Sequence, residues 1–404
     1  MKINYGNILF STKENKKSYK ELLEVRPFEP FSDKVVDFLN ILSKEIYKDS
    51  RIREYPDVVT FAFFCRRANI RQLKKRFYNQ RYLRLGRGTV FHITPSNVPI
   101  NFAFSLVAGL ISGNLNIVKV PSKNFDQINI IVDALHKISI ISKHKFISNR
   151  IILTKYDHLD KATEYFSLNC DVRIIWGGDE TIKNIRKNQL SVRAFDITFS
   201  DRYSICIINS DKYVNEINHG RIASDFYNDT YLSDQKSCSA PHLIIWFGSN
   251  NNVEKSKKIF WEALHEIIKE KYKIQPALVV DNLTNFFDQS IRIKSITKQK
   301  TPDNLLWRVN LSELTRDIED FKSSGGYFCE YHAESIDDLV KIINRKYQTL
   351  SYYGFSKIQL EGYISTLRPL GIDRVVPIGR TMDFSFIWDG YNLVNILSRE
   401  IDIH

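Results

Sequence analysis

The sequence is short of several things that would have declared a function at once. No apolar run approaches the roughly 18 residues that span a bilayer, so no transmembrane segment is expected. The opening MKINYGNILFSTKENKK has neither a long apolar core nor a small-residue cleavage site, so no signal peptide is expected and a cytoplasmic protein is. Cysteine is scarce and odd in number: Cys65, Cys170, Cys206, Cys238 and Cys329 lie far apart, with no C-x-x-C pair. That argues against a disulfide framework and against a structural zinc. HEIIKE, from His265, lacks the second histidine of H-E-x-x-H, so no metal is expected. No G-x-G-x-x-G is present, which removes the usual dinucleotide fingerprint, and no internal repeat is visible.

What is there is an ordinary globular mixture, 43% apolar and 26% charged, over 404 residues, long enough for two domains. The net charge of +12 comes from lysines and arginines scattered along the chain. The one short cluster, RQLKKRFYNQR, has no nucleic-acid-binding signature beside it, so no nucleic-acid partner is expected; it can equally face an anionic cofactor or a thioester carrier.

Ser32 precedes a helical stripe of Val35, Phe38, Leu39, Leu42 and Ile46, and more helix is expected to about residue 80. The pattern then changes to short strands between helices: TVFHI (89–93), NIVKV (116–120), RIILT (150–154) and VRIIW (172–176). Gly113-Asn114 closes the helix after the first strand, and HLDKATEYFSLN reads as the helix before the last. This alternation predicts an α/β fold with a doubly wound parallel sheet. A second α/β unit starts near residue 200, with PALVV (276–280) and GGYFCEYH (325–332) as later strands and IRIKSITKQKTPDN as a mobile surface loop.

Four segments can carry chemistry. In TPSNVP, two prolines aim Asn97, whose amide either donates to an oxyanion or caps the next helix. In NIVKVPS, Lys119 ends a strand, where it either meets a ribose or phosphate or merely snorkels. In VRIIWGGDETI, Gly177-Gly178 either cradles a phosphate with backbone N–H groups or forms a tight turn. In SDQKSCSAPH, Cys238 sits in a polar turn beside Lys236, while Cys65, Cys206 and Cys329 read as core and Cys170 as partly exposed.

In this order the segments resemble the aldehyde dehydrogenase superfamily, with Lys119 22 positions and Cys238 141 positions after Asn97. GRGTVFHITPSNVP, SDQKSCSAPH and GIDRVVPIGRTMDFSFIWDG (371–390) are similar to segments of the LuxC-type fatty acyl-CoA reductases of bacterial luminescence systems. The likeness runs from about residue 85 to 395. It implies a Rossmann-like cofactor domain with the N-terminal helices (1–200), a catalytic cysteine domain (201–375), and a C-terminal segment (376–404) that returns to the cofactor domain or an oligomer interface.

The resemblance also implies the site. Cys238 is the nucleophile and Asn97 the oxyanion donor; NADPH is held by Lys119, Ser122, Gly177, Gly178, Thr94 and Pro95. The substrate is an acyl-CoA or acyl-protein thioester, and the product a fatty aldehyde. An acyl-protein synthetase partner and a homo-oligomer are expected on the same ground. His242 is read as structural, and activation of the thiol falls to Lys236, backbone dipoles or the bound cofactor. Hydrolytic relatives carry a base glutamate where this chain has about Thr198, which favours thioester reduction over oxidation to acid. The rivals are an aldehyde-oxidising dehydrogenase of the same fold, an acyl reductase of a surface-glycan or lipid pathway, and a non-catalytic scaffold in an acyl-transfer complex.

Overall fold

A computed structural model describes residues 7–11, 25–78, 82–157 and 161–404. The chain divides into two compact units, Met1–Ser200 with Ser385–His404, and Asp201–Phe384. No described helix is long and apolar enough to cross a membrane.

The first unit opens with a strand, β1 (Asn7–Phe10), and three helices, α1 (Asp33–Tyr47), α2 (Pro56–Phe64) and α3 (Arg67–Phe77). The expected stripe of α1 is buried, and Ser32 stands at its cap position without a side-chain cap bond. After β2 (Leu83–Gly86), the unit continues through β3 (Thr89–Ile93), α4 (Asn101–Ile111), β4 (Leu115–Lys119), α5 (Asp126–Ser139) and β5 (Ile151–Lys155). It then runs through α6 (Ala162–Leu168), β6 (Val172–Trp176), α7 (Asp179–Arg186) and β7 (Phe195–Phe199). Residues 158–160, the expected start of the helix at α6, lie outside the described residues.

The sheet order is β1-β5-β4-β3-β6-β7, with β1 antiparallel and the rest parallel. Each of β3, β4 and β6 is buried at all five positions. A parallel sheet covered on both faces gives this continuous burial, and the polar residues it encloses need partners. The order reverses beside β3: the chain first steps outward to β4 and β5, then returns to lay β6 on the other side. That reversal opens a crevice at the carboxyl ends of the strands.

The strands at this crevice are tied by a buried hydrogen-bond chain. The Trp176 indole N–H donates to Ser105 Oγ at 3.1 Å, and Ser105 Oγ lies 2.7 Å from His92 Nδ1. His92 Nε2 lies 3.0 Å from Asn116 Oδ1, and Asn116 Nδ2 donates to the Asn114 carbonyl at 3.0 Å. The chain has one consistent direction, with His92 neutral and protonated on Nε2. Burial lowers the His92 pKa to about 4, so the ring stays neutral at physiological pH. Gly109 makes this approach possible, because a Cβ there would sit 1.8 Å from Asn116 Oδ1.

The second unit is a seven-stranded sheet of order β10-β11-β12-β9-β8-β13-β14, parallel except for β10. Its strands are β8 (Tyr203–Asn209), β9 (Pro241–Phe247), β10 (Ile296–Lys298), β11 (Trp307–Leu311), β12 (Tyr327–Ala333), β13 (Tyr347–Tyr353) and β14 (Arg374–Pro377). Helices α8 (His219–Thr230), α9 (Asn250–Lys271), α10 (Pro276–Arg292) and α11 (Lys357–Leu367) complete it. PALVV is not a strand but the first turn of α10: Pro276 occupies the first helical turn, where a missing N–H costs nothing. The segment expected as a mobile loop contains β10, which pairs with β11. Strand β14 pairs with β13, so residues 376–384 belong to this unit and the chain leaves it after Phe384.

The five cysteines divide sharply. Cys65, Cys170, Cys206 and Cys329 are buried, and Cys238 alone is partly exposed. Cys170, expected to be partly exposed, is packed against the β3–β5 face with Phe166 and Tyr156. Burial raises the Cys65 thiol above its usual range and pushes those of Cys170, Cys206 and Cys329 up to about 12.

Two measurements test this core. A thiol reagent at pH 8 is expected to modify one cysteine rapidly in the native protein and all five after denaturation; a second fast native thiol refutes the burial pattern. The second concerns pH. The His92 ring is neutral when folded and charges below its ordinary pKa when unfolded, so its stabilising contribution is present above about pH 6.5 and is lost as pH falls towards 4. Urea unfolding of wild type and His92→Gln should therefore show their stability difference narrowing by about 3 kcal/mol between pH 7 and 4.

Candidate functional site

The first unit carries a cavity of about 600 Å³ at the crevice beside β3. Its walls are the carboxyl ends of β3, β4 and β6 with the turns that follow them. Thr94, Pro95, Asn97, Lys119, Ser122, Gly177 and Gly178 all line it. Seven residues singled out from the sequence thus meet in one place, although they are spread over 85 positions of the chain.

Each wall has a local cause. Thr94 donates its hydroxyl to the Lys119 carbonyl at 2.7 Å, which ties the end of β3 to the end of β4. Pro95 and Pro99 stiffen the turn between them. Asn97 is exposed on that turn, and its amide has no partner among the described residues. It does not cap α4, whose cap position is Ile100. Lys119 is buried to 8% exposure rather than snorkelling, with its ammonium 4.7 Å from the centre of the Tyr156 ring.

The third wall is the turn from β6 into α7. Trp176 stacks on Phe199 with ring centres 3.8 Å apart, fixing the end of β6. Gly178 then caps α7 with φ −66° and ψ 162°, values open to any residue. A Cβ at Gly178 would point into open space, touching nothing within 4 Å. The glycine therefore answers no demand of the fold; it leaves bare backbone at a helix N-terminus facing the cavity. Among the described residues the lining holds no carboxylate, and Lys119 is its one charged residue. Bare backbone amides, one buried cation and a volume suited to a small cofactor fit a phosphate-bearing dinucleotide.

Thr163, Thr181, Asn184 and Asn188 also line the cavity and were not anticipated from the sequence. Thr163, Thr181 and Asn184 come from helix faces and Asn188 from the bend after α7, where a polar residue looks like any solvated position. Trp176 carried a usable signal, being the large aromatic directly before Gly177-Gly178.

Cys238 belongs to the second unit, in the turn between α8 and β9. Ser204 Oγ donates to the Cys238 carbonyl at 2.6 Å and accepts from the Thr349 N–H, so strands β8 and β13 both hold the turn. Ser239 Oγ meets Met382 Sδ at 3.7 Å on the other side. Upstream, Asp234 and Gln235 both have positive φ, 51° and 60°, a strained conformation for non-glycine residues. The Gln235 amide holds this strain in place. Its Nε2 donates to the carbonyls of Pro241 and Tyr327, and its Oε1 accepts from the N–H groups of Gly326 and Tyr327, all within 3.1 Å. No hydrogen-bonding position of that buried amide is left open.

The segment that holds Met382 is itself clamped. Asp229 accepts from the N–H groups of Gly379 at 2.6 Å and Thr381 at 3.0 Å. Burial raises the Asp229 pKa to about 6 against these bonds. The Arg374 guanidinium adds bonds to the carbonyls of Arg380, Thr381 and Asp383.

The Lys236 ammonium lies 3.2 Å from the Asp234 carboxylate. His242 is buried and stacked on Tyr203, and burial holds its pKa well below the ordinary value, so it is neutral. Thr198 lies half-buried on β7 opposite Ile175. The one carboxylate on that strand, Asp196, is bound at 2.7 Å by the buried Arg173 guanidinium.

The acyl-CoA reductase (LuxC) family model matches residues 15–399. Long-chain acyl-protein thioester reductases of Photorhabdus laumondii and Aliivibrio fischeri are 23% and 24% identical over 304 residues, 72% of this chain. The chain spans 58% of the length of these relatives. Among solved structures, a proline utilization A (PutA) variant of Bradyrhizobium japonicum superposes with TM-score 0.65 at 14% identity, over 96% of this chain and 44% of that one. Aldehyde dehydrogenase 21 of Physcomitrella patens gives 0.64 at 11% identity, over 91% of this chain and 85% of that one. The fold is that of the aldehyde dehydrogenases, and the chain belongs to the acyl-CoA reductase (LuxC) family.

Proposed function

We propose that this protein reduces a long-chain acyl thioester to a fatty aldehyde through an acyl–Cys238 intermediate, with NADPH as reductant. The observation that carries the proposal is that Cys238 is the single partly exposed thiol of five, in a turn fixed from several sides. The curated relatives are named for acyl-protein thioesters, and the family for acyl-CoA, so the acyl donor is a thioester of either carrier. An acyl-protein synthetase supplying it and assembly as a homo-oligomer belong to the same reading.

In this mechanism the Cys238 thiolate attacks the thioester carbonyl, forming a new C–S bond and an oxyanion. The Cys238 backbone N–H and the exposed Asn97 amide are assigned to that oxyanion. Collapse breaks the original C–S bond, and the departing thiolate takes a proton. The acyl group then rests on Cys238. Asp196 is tied to Arg173 and Thr198 cannot act as a base, so β7 supplies no group that would send water onto the thioester. Lys119, Ser122 and the Gly177-Gly178 turn would hold NADPH, which supplies the hydride that the acyl carbon needs. Once reduced, the carbon releases Cys238 as a thiolate that is reprotonated, and the aldehyde leaves. Lys119, with no carboxylate among the described lining residues, favours a 2′-phosphate over a bare ribose hydroxyl.

Two experiments decide the reading. Incubation with labelled long-chain acyl-CoA in the absence of NADPH should place the label on the Cys238 peptide, and Cys238→Ala should take none. Added NADPH should discharge it as aldehyde; label on Cys170, or on no cysteine, sinks the mechanism. For the cofactor site, Gly178→Val fills open space and should leave the melting temperature nearly unchanged while weakening NADPH binding about tenfold or more by calorimetry. Unchanged affinity would remove this cavity as the cofactor site.

A further inference from the structure

Helix α10 presents its apolar side to solvent. Val280, Leu283, Phe287 and Ile291 are 62%, 45%, 57% and 84% exposed, and their spacing puts them on one face. The inward face sets Phe286 against the core and carries two buried amides. Asn282 accepts from Ser323 Oγ at 2.6 Å, and Gln289 accepts from Tyr327 Oη at 2.6 Å while donating to Cys329 Sγ at 3.2 Å. Leu278 adds an apolar contact against Gly325. These bonds, seven residues apart, fix the rotation of the helix: rolling it inward would bury the stripe only by stripping both amides of their partners.

The stripe runs along a 17-residue helix, about 25 Å at 1.5 Å per residue. Exposed lysines stand beyond both of its ends: Lys269, Lys271 and Lys273 before it, Lys294, Lys298 and Lys300 after it. Between Lys269 and Lys300 there are seven cations and three carboxylates, Glu270, Asp281 and Asp288. The last two rim one edge of the stripe, and Asp288 is paired with Arg292 at 3.2 Å. Four side chains fall short of the roughly 800 Å² per partner that a standard protein interface buries. The helix itself carries only Asp281, Asp288 and Arg292, and the surplus of exposed lysines lies in the segments that lead into and out of it. An apolar face in so basic a segment matches an anionic bilayer surface, where the helix would lie flat with its stripe at the acyl boundary.

We infer that α10 docks the protein on anionic membrane surfaces. The inference is independent of the acyl-reduction reading. Full-length protein should co-sediment with vesicles of equal phosphatidylcholine and phosphatidylglycerol. Binding should be at least tenfold weaker to phosphatidylcholine alone, and weaker again as salt rises from 0.1 to 0.5 M. The variant Phe287→Glu/Ile291→Glu should lose at least tenfold in vesicle binding while keeping the wild-type melting temperature. If that variant misfolds, Ile291→Ser should give a smaller loss in the same direction. Absence of wild-type binding overturns the inference, as does equal binding by the variants. It is likewise overturned by a dimer that the double variant dissociates without any vesicle binding, which would assign the stripe to a second copy of the chain.

Discussion

The hydrogen-bond chain from Trp176 through Ser105 and His92 to Asn116 is the constraint on which the first unit's cavity depends. It joins β6, α4, β3 and β4, the four elements whose ends form or support the walls. Every member is buried, so each must keep its partner or incur a desolvation cost. Once the chain is satisfied, the strands that carry Thr94, Lys119 and Gly177 cannot slide relative to one another. Gly109 is the concession that makes the fit possible, because any side chain there would displace Asn116.

Much of this was legible in the sequence, for a physical reason. A parallel strand covered on both faces is mostly apolar, so TVFHI and VRIIW stand out as strands although His92 and Arg173 interrupt them. Turns that follow such strands carry Pro, Gly, Ser and Asn, and those are the residues that line the cavity. What stayed hidden depends on long-range partners. His92 looks like a stray polar residue in a strand until Ser105 and Asn116 are placed beside it. PALVV is β-rich locally, and tertiary context makes it helix by giving Asn282 and Gln289 buried partners. Cys170 stands near polar residues in the chain but inside the core in space.

The second unit solves a different problem. The proposed nucleophile, Cys238, must be exposed enough to meet its substrate yet held still, and exposed turns are the least constrained part of a fold. Here the turn is held from below by buried bonds that leave the thiol itself outside the core. Gln235 satisfies four partners at once while its own backbone is strained, and Asp229 clamps the segment that supplies Met382. Neither residue was marked by the sequence, because an amide in a polar turn and an acid in a helix are unremarkable until burial is known. Such strain persists only where surrounding bonds over-determine it.

Several polar residues of this chain are thus spent on the inside. Asn116, Gln235, Asn282 and Gln289 are all buried, each bonded to a group that a smaller or apolar residue would leave unpaired. That choice has a consequence on the surface. A helix that reserves two inward positions for amides has fewer left for apolar residues, and in α10 Val280, Leu283, Phe287 and Ile291 go to solvent while Leu278 and Phe286 stay inside. If such a face served nothing, polar substitutions there would cost the fold little, since the stripe touches no core residue along its exposed edge. Four apolar residues on one helix face, with lysines in the chain before and after it, set this surface apart from scattered exposed leucines, which occur on any protein. Interior specificity and exterior stickiness are in this helix two sides of one packing decision.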